Sequence, residues 1–71
     1  MNQKCIVTNK AQLLAAVNCA FDFEGDTEII LNREGGTTIF KFWCHSYYTH
    51  YHKYLRKVRA QIKRTPAECF R

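Results

Sequence analysis

Apolar side chains recur along this chain with two different periods, and the switches between them mark five segments. "KCIV" (Lys4–Val7) is short, β-branched and apolar, which suits a strand. From Asn9 the spacing changes. Leu13, Leu14, Val17, Ala20 and Phe21 recur at helical intervals and predict one apolar helix face. Asn9 or Thr8 is placed to cap that helix, and Gln12, three residues after Asn9, completes a capping box. The pattern stops in "DFEGD", at Gly25. "TEIILN" (Thr27–Asn32) and "TTIFKFW" (Thr37–Trp43) are strand-like again, and "REGG" between them supplies a hairpin turn. Gly35 and Gly36 are available there for the positive φ such turns need. A second helix is predicted from His45 to Arg64. "TPAE" (Thr65–Glu68) then marks a short final turn that carries Cys69 and Phe70 back onto the domain.

The order β-α-β-β-α predicts a single α+β domain over residues 1–71. In this two-layer arrangement a three-stranded sheet carries two helices packed on one face. The other sheet face is then left bare. In the third strand Thr38, Phe40 and Phe42 share one side, while Ile39, Lys41 and Trp43 share the opposite one. Ile30 joins the side that Ile29 and Leu31 do not. Either some of Ile30, Ile39 and Trp43 or else the phenylalanines must therefore lie outside the helix-packed core. For Ile30, Ile39, Lys41 and Trp43 two readings follow: a protein interface, or a surface covered by loops and the C-terminal turn.

On a helical projection of residues 45–64, Tyr47, Tyr48, Tyr51, Tyr54, Leu55, Val58 and Ile62 occupy one arc of about 120°. That width suits a core-facing stripe, so the tyrosine rings read as packing with hydroxyls at the rim. The other side is basic. His45, His52, Arg56, Arg59 and Lys63 form one row, Lys53, Lys57 and Arg64 a second, and the small Thr49 and Ala60 lie between.

Charge sharpens this picture. Residues 1–44 carry Lys4, Lys10, Arg33 and Lys41 against Asp22, Glu24, Asp26, Glu28 and Glu34, a sum of −1. Residues 45–71 carry Lys53, Arg56, Lys57, Arg59, Lys63, Arg64 and Arg71 against Glu68, a sum of +6. A solvated helix face usually intersperses both signs. A face without acids points to an acidic partner, and two cationic rows beside a shallow strip can follow a phosphate backbone.

Other chemistry is weakly signalled. At 71 residues the chain has little room for an enclosed active site beside its core. Cys5, Cys19, Cys44 and Cys69 match neither a disulfide scaffold nor paired zinc knuckles, and each reads as a small buried hydrophobe. His50 and His52 project about 200° apart and cannot share an ion. Asp22, Glu24, Asp26 and Glu28 alternate across Gly25, which suits loop solubility or attraction to the basic helix more than catalysis. No metal, cofactor or catalytic set is therefore expected. With no leader-like apolar stretch and no bilayer-length run, a cytoplasmic, non-membrane protein is expected.

The sequence thus predicts a non-enzymatic binding protein that engages nucleic acid or a nucleoprotein complex through its basic C-terminal helix. Lys53, Arg56, Lys57, Arg59, Lys63 and Arg64 carry the charge. The alternative is a small inhibitor or adaptor of the phage or mobile-element type, seated on an acidic or nucleic-acid-handling site of a larger protein. A homodimer through the bare sheet face is compatible with either.

Overall fold

A computed structural model describes the backbone at residues 2–42 and 48–70, and side chains at residues 2–42 and 52–70. Its elements run β1 (Asn2–Val7), α1 (Lys10–Asp22), β2 (Asp26–Arg33), β3 (Gly36–Phe42), α2 (Tyr48–Arg64) and a final 3₁₀ turn (Ala67–Phe70). The chain is an α+β domain with a three-stranded sheet in the order β1-β2-β3 and two helices. β1 runs parallel to β2, and β3 antiparallel to it. No helix among the described residues is long and apolar enough to cross a membrane.

Local chemistry accounts for the element ends. The Asn9 Oδ1 accepts a hydrogen bond from the Gln12 amide at 2.8 Å, which satisfies one of the orphan donors of α1. The reciprocal half of the expected box is displaced by one residue. Gln12 Oε1 accepts from the backbone N–H of Thr8 at 2.9 Å and from its hydroxyl at 3.0 Å, so Thr8 and Asn9 share the capping work. In the β2–β3 hairpin Arg33 pairs with Gly36, and the positive φ falls on Gly36 alone, at 132°. Of the two glycines available to the turn, Gly35 does not need that conformation.

Burial assigns the sheet faces. Val7, Thr27, Ile29, Leu31 and Phe42 are buried beneath the helices, joined by Leu13, Ala16, Val17 and Ala20 of α1 and by Leu55, Val58 and Ile62 of α2. Leu14 and Phe21 pack at the margin of this core, and Ala16 adds a contact absent from the predicted stripe. Thr27, the one buried polar side chain among the described residues, has its hydroxyl satisfied by the Gln3 amide at 3.0 Å. Phe70 returns to the core as the C-terminal pattern predicted.

Long-range hydrogen bonds lock the two ends of the layer. Arg33 donates to the Cys69 carbonyl at 2.7 Å and to the Thr38 hydroxyl at 2.8 Å, fastening the last turn to the sheet. The Lys10 ammonium donates to the carbonyls of Lys63 and Thr65 at 3.0 and 2.9 Å. These carbonyls lie at the C-terminal end of α2, where the last turn leaves its acceptors unpaired and a cation is favoured.

Two of the cysteines, Cys19 and Cys69, depart from expectation, while Cys5 packs against the core. Cys19 and Cys69 are exposed and Cys5 is half-buried, all as free thiols; Cys44 lies outside the described residues. Cys19 falls on the outer side of α1, where the apolar stripe does not reach, and the turn that buries Phe70 leaves its neighbour outside.

Candidate nucleic-acid interface

Among the described side chains of α2 the buried positions are Leu55, Val58 and Ile62, and its basic residues sort by how far they project from that stripe. At 100° per residue, Arg59 and His52 lie about 40° and 60° from Leu55, on the flank that meets α1. The guanidinium of Arg59 sits 4.4 Å from the centroid of the Phe21 ring and donates to Asn18 Oδ1 at 2.9 Å. The His52 ring stacks on the same phenylalanine, with centroids 5.9 Å apart and planes inclined by 28°. Both side chains are half-buried. Phe21, at the last turn of α1, is thus shared between two residues that the helical projection alone placed in an outward basic row.

Arg59 therefore joins the two helices. Arg59→Ala is expected to cost about 1–2 kcal/mol of stability through the lost cation–π contact, hydrogen bond and stem packing. A thermal melt should show a drop of roughly 4–8 °C for each of those kilocalories. An unchanged melting temperature would mean that the Phe21 contact contributes nothing.

Five cations remain on the outer side. Lys53, Arg56, Lys57, Lys63 and Arg64 are all exposed, and α2 contains no acidic residue. Lys53, Lys57, Ala60 and Arg64 line the side directly opposite the core, with Arg56 and Lys63 bordering it toward α1. From Lys53 to Arg64 the patch extends about 16 Å along the helix. Lys63 and Arg64 have a structural role as well, since cations in the last turn offset the helix dipole. His45 and Trp43 lie outside the described residues, as do the side chains of Thr49 and His50.

The tyrosine stripe is described at one position. Tyr54 is 52% exposed, and its ring tilts against the buried Phe42 with centroids 5.7 Å apart. It covers the edge of the core instead of entering it, as its place at the rim of the apolar arc implies.

The second candidate surface lies on the far side of the sheet. Ile30, Ile39 and Lys41 all face away from the helices, which decides between this side and that of the phenylalanines, a choice strand alternation left open. Ile6 joins them and had no assigned role in the sequence reading. Asp26 and Glu28 share this face, so they point away from α2 and do not serve to attract it. A hollow of about 340 Å³ indents one end, with Lys4, Lys41, Asp26 and Glu28 among its lining residues. Among the described residues no three His, Cys, Asp or Glu side chains cluster closely enough to hold a metal ion; Cys44 and His45 lie outside that set.

No protein-family model matches the chain, and neither a curated protein nor a solved structure is significantly similar to it.

Proposed function

We propose that this protein binds nucleic acid through the outer face of α2, chiefly by contacts between its cations and phosphates. The observation that carries this reading is the unmixed charge of that face: five exposed cations along a helix that has no acidic residue. A helix kept basic only for solubility has no need to exclude acids, and pairs of opposite sign four residues apart would stabilise it better. Lys53, Arg56, Lys57 and Arg64 make the primary contacts, with Lys63 at the margin. Arg59 and His52 support the surface from behind by fixing α2 against α1. An acidic protein surface is the rival partner, in keeping with a small inhibitor or adaptor, because the same cations would serve there. Salt response and partner choice separate the two.

Fluorescence anisotropy with labelled mixed-sequence duplex and single-stranded DNA and RNA tests the reading. Four phosphate contacts to a duplex should weaken binding about 150-fold between about 50 and about 200 mM salt. For a single strand the expected loss is roughly 50-fold. No detectable binding to any of these probes at low salt would sink the nucleic-acid reading and favour the acidic protein.

A further inference from the structure

Among the described side chains of α2, Ala60 alone is small, and helix geometry decides what surrounds it. The nearest surface neighbours of a helical residue lie three and four positions away on either side, with Cβ atoms about 5–6 Å apart. For Ala60 those four are Arg56, Lys57, Lys63 and Arg64, and every one is a cation. All five side chains are exposed. The arginines stand on one diagonal and the lysines on the other, so a methyl group forms the floor of a shallow cup with a positive rim. From Arg56 to Arg64 the rim spans about 12 Å along the helix. The residues before and after Ala60 stay out of the cup, because each projects about 100° away. Arg59 turns to Phe21 and Asn18 of α1, and Gln61 lies on the opposite flank.

We propose that this cup seats a single phosphate group of the nucleic-acid backbone, with Ala60 as its floor and Arg56, Lys57, Lys63 and Arg64 as its wall. The proposal rests on the nucleic-acid reading and names where on α2 a phosphate lies. Position 60 is where one glutamate would stabilise α2 most, since it would meet four cations at once with little loss of helix propensity. The chain places a neutral methyl there instead, and α2 has no other acid to neutralise the rim. The helix also carries like charges four residues apart, Lys53 with Lys57 and Arg59 with Lys63, which weaken it until an anion arrives. Rim chemistry matches a phosphodiester: the planar arginine fork fits two phosphate oxygens, and lysine adds a point charge.

Contacts with α1 hold the rim in place. The last turn of a helix frays where its carbonyls lack partners. Here the Lys10 ammonium donates to the carbonyls of Lys63 and Thr65 at 3.0 and 2.9 Å. The Thr65 amide and hydroxyl both donate to the Gln61 carbonyl, at 3.1 and 2.7 Å. These bonds keep Lys63 and Arg64 in helical register with Arg56 and Lys57. Midway between the two halves of the rim, Arg59 ties α2 to Phe21 and Asn18. Backbone order secured in advance lowers the cost of binding.

Ala60→Leu tests the seat without altering charge. Leucine is close to alanine in helix propensity and the position is exposed, so the fold and the net charge of +5 are retained. Filling the cup should lower duplex affinity roughly eightfold or more at about 0.1 M salt, the worth of one phosphate contact, and reduce the logarithmic salt slope by about 0.9. Ala15→Leu, the same change on the exposed side of α1, should alter neither. Inorganic phosphate is the second probe, titrated against chloride at matched ionic strength and followed by amide NMR. Wild-type shifts should centre on Ala60, and Ala60→Leu should abolish them. If Ala60→Leu binds nucleic acid as tightly as the wild type, or phosphate shifts spread evenly over the cations of α2, the seat is overturned and the nucleic-acid reading stands. Shifts centred on Ala60 in a protein that binds no nucleic acid would uphold the seat and sink that reading. Absence of both overturns both.

Discussion

Replacing Lys53, Arg56, Lys57 and Arg64 together with glutamine is expected to abolish nucleic-acid binding while leaving a folded protein. Removing four positive charges takes the formal net charge from +5 to +1. At about 0.1 M salt each lost phosphate contact to a duplex is worth roughly eightfold in affinity, so four amount to about 10³–10⁴. Glutamine is close to lysine and arginine in helix propensity, and these four side chains are exposed, so α2 should persist. The measurement is anisotropy across a salt series beside a thermal melt. A variant that keeps both affinity and salt slope would exclude the outer face of α2 as the binding surface. Arg59 stays unchanged in this variant, since losing its contacts with Phe21 and Asn18 would mix lost binding with lost stability.

The largest effect on the fold is expected from Leu55→Ala. Leu55 is fully buried where α2 meets the core, and truncating such a leucine costs about 2–5 kcal/mol. A core of this size rarely supplies more than about 3–5 kcal/mol in total. One substitution should therefore leave the chain largely unfolded near physiological temperature. Ile39→Ala provides the control, because a side chain that is 51% exposed leaves no cavity behind. Urea melts followed by circular dichroism should place the two midpoints far apart. Similar midpoints would mean that α2 is not docked through Leu55.

Both expectations depend on features that differ in how far they could be read from local sequence. Alternation in β3 separated Thr38, Phe40 and Phe42 from Ile39 and Lys41, and burial confirms that division. The helical spacing of Leu13, Val17 and Ala20 marked the buried face of α1, and Asn9 marked its cap. The C-terminal limit of α2 at Arg64 was likewise legible, and the predicted start at His45 lies outside the described residues. Each of these is a property of neighbours a few residues apart, where backbone geometry alone relates one side chain to the next.

Other features required knowing which elements meet. The wheel angles placed Arg59 and His52 in the basic row and gave no sign that Phe21, from the opposite helix, would take both against its ring. Lys10 offered no hint that it would reach the end of α2, more than fifty residues away. Ile6 belonged to a short strand whose outward side could not be ranked until its register against Ile30 was known. Alternation and periodicity settle which residues share a face because they repeat over a few positions of the chain. They are silent on which faces come together, since that choice minimises exposed apolar surface over the whole molecule. Composition and pattern were therefore enough for the α+β layout and the concentration of charge on the last helix. The division of that helix into an anchoring flank and an outward cationic face, and the joining of Ile6 to Ile30 and Ile39 on one sheet face, came only with packing between elements distant in sequence.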